Sequence, residues 1–268
     1  MDINEIIASA TRLTSESPGN YIAEKDAIRP DYAGMQIYDA PIFAFGSAND
    51  ELYRKFLAPE VIGSHFITPL EWLPGAKTVI SCFMPFTRRI ISSNATNFSW
   101  PSEEWLHGRY EGHLFVVEMA THIQNVLKEA GYDSLAPMLN PRYKTGNRET
   151  TYTSNWSERH AAFACGLGTF GLSKGIITEK GTCGRLCSVI TELDLPKTAR
   201  PYRDVYDYCT MCGLCAKHCP AQAISLKDGK QHSPCDEFLG TVMEKEKPRY
   251  GCGKCQVKAP CESEIPKR

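Results

Sequence analysis

The sequence predicts a mixed α/β (α+β) N-terminal domain followed by a small, cysteine-dense C-terminal module. Three observations carry this. First, 42% of the 268 residues are hydrophobic and 23% charged, a balance that builds a real core and excludes a disordered chain. Second, apolar runs with strand-like and helix-like spacing alternate ahead of Pro196. Third, eight of the twelve cysteines fall between Cys209 and Cys261. The proline-bracketed stretch Pro196–Pro201 separates the two compositions, so the expected domains are 1–198 and 199–268.

The elements follow in chain order. Glu51–Leu57 reads as a short helix, and Lys77–Phe86 as a buried strand after the turn Leu73-Pro74-Gly75. From Trp105 to Ala130, apolar residues at near-helical spacing (Leu114, Val117, Met119, Ile123, Val126, Leu127) predict a long helix stopped by Gly131. Ser134–Leu139 reads as the next strand. Asn155-Trp-Ser-Glu158 has the pattern of a capping box, Asn cap and Glu three residues on, opening a helix that ends near Gly166. Gly175–Thr178 and Leu186–Leu193 read as paired strands.

Charge narrows the function. Lys plus Arg number 30 and Asp plus Glu 31, so no global basic excess draws the chain to nucleic acid. The opening MDINEIIASATRL lacks the charged-then-apolar form of a signal segment, and no window approaches the ~18 apolar residues of a membrane span. The expected compartment is reducing cytoplasm, without membrane association. There, many cysteines point to metal rather than disulfides.

The cysteine spacing says which metal. Cys209, Cys212, Cys215, Cys219 and Pro220 form C-x2-C-x2-C-x3-C-P, the bacterial ferredoxin spacing for a 4Fe–4S cluster. Three thiolates two residues apart wrap one corner of a cubane, while the fourth is thrown outward to another cluster. That second set is supplied by Cys235, Cys252, Cys255 and Cys261. The pairing that fits is Cys209, Cys212, Cys215 with Cys261 for cluster 1, and Cys219 with Cys235, Cys252, Cys255 for cluster 2. The second half departs from the ferredoxin repeat. A zinc ribbon separates its C-x2-C pairs by a loop, so zinc is the weaker reading.

The remaining cysteines read as structural. Cys82 lies in an apolar strand and Cys165 at a helix end. Cys183 and Cys187 are structural or, more sharply, a redox-active pair. The string Gly166-Leu-Gly168-Thr-Phe-Gly171 followed by Gly175 is G-x-G-x-x-G, but a helix precedes it where a dinucleotide site needs a strand. It reads as a bend where backbone passes close to something flat, or as a packing turn. Trp72, Trp100, Trp105 and Trp156 read as core or cavity lining, Arg88-Arg89 as a solvated strand end, and His218 as a non-ligand.

The run SNWSERHAAFACGLGTFGLSKGIITEKG, then CSVIT, then the cysteine pattern, resembles the epoxyqueuosine reductase family and its reductive-dehalogenase relatives. EWLPGAKTVIS, EWLHGRYEGH and RYGCGKCQ extend the likeness, which is closest to short iron–sulfur paralogues. The resemblance implies cobalamin bound base-off in the α/β domain, one cluster beside it and a second nearer the surface. It implies electrons from ferredoxin or flavodoxin, passed through both clusters to make Co(I). Gly166, Gly168, Gly171, Gly175 and Gly184 would then be corrinoid-facing. The family's acidic proton donor has no counterpart in Thr151–Trp156, which leaves Tyr152 and His160 as catalytic candidates and Glu158 assigned to the capping box. Seven residues follow Cys261, too few for a tRNA-reading domain, and no twin-arginine signal is present. The expected function is an iron–sulfur oxidoreductase passing electrons to a cobalamin-type centre that reduces a small molecule rather than tRNA. The alternatives are a non-catalytic electron carrier or corrinoid reductase serving a partner protein and, last, a cluster-based sensor.

Overall fold

A computed structural model describes residues 1–146 and 152–267. Helix α1 (Ile3–Glu16) is held at its start by a capping box between Asp2 and Glu5. The chain continues through β1 (Ile42–Ser47), α2 (Glu51–Lys55), α3 (Pro69–Trp72), β2 (Thr78–Pro85), α4 (Arg88–Asn94), α5 (Glu103–Glu129) and β3 (Ser134–Leu135). Then come α6 (Glu158–Cys165), β4 (Gly168–Phe170), β5 (Ile176–Thr178), β6 (Gly184–Thr191), α7 (Leu214–Lys217), β7 (Ile224–Ser225), β8 (Gly229–Lys230) and α8 (His232–Lys245).

Among the described residues, the largest sheet has the order β1-β2-β6-β3. Every pairing in it is antiparallel, which makes the domain α+β. Strand β2 is buried at every position, because both faces of the sheet are covered. Along it, Ile80, Cys82 and Met84 join the core shared with α1 and α5, while Val79 and Phe83 join the core shared with α6. This is the period of two expected of a strand between two layers.

Several expectations change. The segments Gly175–Thr178 and Leu186–Leu193 do not pair with each other. Strand β5 pairs with β4, and β6 lies between β2 and β3 in the main sheet. Local apolar content marks a strand but not its partner. The expected strand over 134–139 stops at Leu135, because Pro137 opens a 3-10 turn and has no N–H for a ladder. On α5 the buried stripe runs through Phe115, Met119, Ile123 and Leu127, whereas Leu114 is 62% exposed.

The cap of α6 is Ser157, not Asn155. The Asn155 carboxamide instead accepts from Lys144 N at 2.9 Å and donates to Arg142 O at 2.7 Å, closing the preceding loop. Gly166 ends the helix at φ +98, a left-handed conformation that a side chain would strain.

The C-terminal tail returns to the front of the molecule. Asn94, at the end of α4, donates to Cys252 O at 2.9 Å. The buried Lys254 ammonium answers with bonds to Asn94 O at 2.7 Å and Oδ1 at 2.8 Å. Thr182 N donates to Cys261 O at 2.9 Å, and Val257 sits in the core that contains the sheet. Gly253, at φ +63, lies so close to the Trp105 indole that any Cβ would collide with it.

Candidate active site

The cysteines meet in two groups. Cys209, Cys212, Cys215 and Cys261 line one small cavity. Burial pushes the Cys261 thiol up to about 12, and Cys209, Cys215 and Cys212 push the same way. Cys219, Cys235, Cys252 and Cys255 line a second, larger cavity of about 470 Å³. Burial raises Cys255, reinforced by Cys235 and Cys219, while Lys230 opposes it. Burial likewise raises Cys252 to about 12, with Cys255 and Cys235 adding to it. The two groups adjoin, since Cys255 is also among the causes that raise Cys215. Among the described residues no three His, Cys, Asp or Glu side chains could hold a single metal ion. Each quartet instead shares the lining of one cavity with other side chains.

The larger cavity has more than cysteines in its wall. Its other wall comes from the start of α6, the strand β6 and the loop before β5. Phe83, Phe86, Trp105, Trp156 and Leu186 supply flat and apolar surface there. Into the same wall come Glu158, Tyr143, Arg159 and Arg185.

Glu158 is the residue that sequence reasoning misplaced. It occupies the first helical position rather than the position that folds back on a cap, because the helix starts at Ser157. Both its carboxylate oxygens are buried without a hydrogen-bond partner. Burial raises its pKa to about 7. The nearby Ser188 hydroxyl and Trp156 indole lower it only in part, and neither makes a bond of ordinary geometry to it. The indole N–H is already spent on Ser188 Oγ at 2.9 Å. A buried carboxyl without a donor or cation favours its neutral form, so Glu158 holds its proton to higher pH than an ordinary glutamate.

A 4Fe-4S binding domain family matches residues 202–225. The tetrachloroethene reductive dehalogenase of Desulfitobacterium hafniense is 42% identical over 78 residues, 28% of this chain and 14% of that protein. An epoxyqueuosine reductase solved with a tRNA-Tyr epoxyqueuosine-modified stem loop matches with TM-score 0.53 at 19% identity, over 82% of this chain and 61% of that one. A reductive dehalogenase whose structure suggests a mechanism for B12-dependent dehalogenation matches with TM-score 0.56 at 14% identity, over 84% and 30%. This chain has the fold of the epoxyqueuosine reductases and reductive dehalogenases. The fold and the cluster domain agree with the resemblance read from the sequence. The matches span less than two thirds of the length of any of these three relatives.

Within that fold the predicted residues scatter. Gly175 and Gly184 line the large cavity. Gly166 caps α6, Gly168 lets β4 approach Ile177 of β5, and Gly171 packs on the Ile177 side chain. His160 is bonded to Ser157 Oγ at 2.8 Å and packed between Phe56 and Phe170. Burial lowers its pKa to about 4, so it is a neutral ring in a core. Tyr152 stacks on His232 with centroids 5.6 Å apart. Thr151, the first residue of the stretch searched for an acid, lies outside the described residues.

The structural cysteines are also placed. Cys183 Sγ donates to Gln256 O at 3.2 Å, while Cys187 faces Cys82 across the β2–β6 ladder. Cys183 and Cys187 therefore have different partners. Trp105 and Trp156 line the cavity, whereas Trp72 lies under Arg142 and Trp100 bonds Glu246 at 2.9 Å. Arg88 pairs with Glu262 at 2.8 Å, and His218 bonds Val257 O at 3.2 Å.

Proposed function

We propose that this chain is an iron–sulfur oxidoreductase that passes electrons through two 4Fe–4S clusters to a cobalamin-type centre, which reduces a small molecule. The observation that carries this reading is the shared wall. The quartet Cys219, Cys235, Cys252 and Cys255 lines the same cavity as Glu158, Tyr143 and Arg185. An electron reaching that quartet is already at the edge of a reaction chamber. A simple carrier has no use for such a chamber.

The residues present suit a corrinoid. Phe83, Phe86, Trp105 and Leu186 offer the flat apolar surface such a ring needs. The bound group would supply a strongly reducing metal centre that no side chain provides. The chain's own residues do the rest. The two quartets hold the clusters, and the aromatic wall excludes water. Glu158 keeps a proton at its carboxyl beside the cavity and stands as the acid for protonating the reduced product.

Cys212 is the exposed member of the other quartet, so an external donor, ferredoxin or flavodoxin, would meet that cluster first. On this reading the chamber lies at the boundary of the two domains, 1–198 and 199–268, and takes its wall from both. Among the described residues no helix is long and apolar enough to cross a membrane.

Iron, sulfide and cobalt analysis of anaerobically purified protein, with its absorption spectrum, tests this. About eight irons per chain and uptake of one added cobalamin are expected. Iron near half that value would remove the second cluster, and absence of corrinoid uptake would remove the cobalamin centre.

A further inference from the structure

Among the described residues, five cations line the large cavity, Arg109, Arg159, Lys174, Arg185 and Lys230, against one carboxyl group, Glu158. Glu158 favours its neutral form and is no counter-charge while protonated. Two of the cations are matched to the cluster wall: Arg159 acts on Cys255 and Cys235, and Lys230 acts on Cys255. A cluster held by these thiolates would supply their anionic partners.

The other three have no carboxylate within ion-pair distance among the described residues. Arg109 lies over the Tyr250 ring at 4.8 Å. Lys174, held at φ +60, donates to His232 Nε2 at 3.2 Å. Arg185 is the most exacting case. Its Nη2 donates to His113 Nδ1 at 3.3 Å, a neutral acceptor, and its Nη1 is buried with no partner at all. A guanidinium cannot lose its proton to escape this cost, as a lysine could. A half-buried cation whose Nη1 is buried and free calls for an anionic oxygen from outside the chain. The Thr182 hydroxyl, also buried and unpartnered, stands in the same lining as a second donor.

We propose that the substrate of this cavity is an organic anion whose carboxylate is received by Arg185, with Thr182 as a second donor. This rests on the reading of the cavity as a reaction chamber and names the class of molecule it admits. A phosphate on the nucleotide tail of a corrinoid offers the same chemistry to the same guanidinium, so the test separates the two sources.

The experiment uses cluster-loaded, cobalamin-loaded protein and two probes, benzoate and inorganic phosphate. Binding is read from thermal shift and from the change in the corrinoid spectrum, at low and high salt. Benzoate is expected to bind, more weakly as salt rises. Arg185→Gln should weaken it by roughly tenfold to hundredfold, the loss for a charge-assisted hydrogen bond inside a cavity. Arg185→Lys should recover part of the loss, which a purely structural role would not give. Uptake of cobalamin and of cobinamide, which lacks the phosphate-bearing tail, is measured alongside. The proposal is overturned if benzoate fails to bind, or binds R185Q and wild type alike, or if inorganic phosphate alone binds. It is overturned too if R185Q weakens uptake of cobalamin but not of cobinamide, because the guanidinium then serves the cofactor. Failure of the wild-type protein to take up either corrinoid would instead sink the functional reading. Benzoate binding to the cluster-loaded chain would then still decide the anion proposal.

Discussion

Glu158 and Gly253 show how much one residue decides here. The Glu158 carboxyl titrates at about 7 in the fold, against 4.5 for an ordinary glutamate. A folded pKa raised above the unfolded one favours the fold fully at low pH. That advantage is lost as pH rises through the folded value. Wild-type stability should therefore fall from about pH 4.5 up to about pH 7, and Glu158→Gln should flatten that fall by at most about 3 kcal/mol. Chemical denaturation at several pH values checks this; equal slopes in the two proteins would remove the neutral acid. If Glu158 also protonates product, the same variant loses turnover while keeping both clusters. At Gly253 an added methyl must displace the Trp105 indole and occupy φ +63. Gly253→Ala should cost about 1–3 kcal/mol and disturb Cys252 and Cys255 on either side, seen as lower melting temperature and lost iron.

Among the elements, the tail segment around Cys252–Cys261 and helix α6 position the chamber. Lys254 is the tie between tail and α4, and among the described residues its ammonium bonds to Asn94. Lys254→Met removes the charge but leaves the Asn94 acceptors buried and unanswered, at about 1–3 kcal/mol. On the proposed two-cluster reading, loss of cluster 2 before cluster 1 on heating is the expected outcome. Simultaneous loss of both would show that the tie acts on the whole module. The helix α6 presents its first turn to the cavity because Ser157 caps it. Had Asn155 been the cap, Glu158 would have been spent on the backbone, as the sequence pattern suggested. Ser and Asn are both good caps, and local preference cannot choose between two such residues two positions apart.

For the molecule as a whole, the two-quartet arrangement predicts independent halves of the iron content. Cys212→Ser and Cys235→Ser should each leave about half the iron, and each a different half by electron paramagnetic resonance. Variants that both lose everything would mean one cooperative centre. The 4Fe-4S cysteine spacing over 202–225, the mixed α+β class, the buried strand and the long helix were all legible in the chain. Each depends on local spacing: thiolates that must reach one corner of a cubane, or apolar side chains that must share one face. What local spacing cannot state is which distant segments meet. The placement of β6 between β2 and β3, the return of the tail onto Trp105, the freeing of Glu158 and the gathering of unmatched cations around one cavity are long-range facts. They follow from burying both faces of the sheet at once, and only the folded chain decides them.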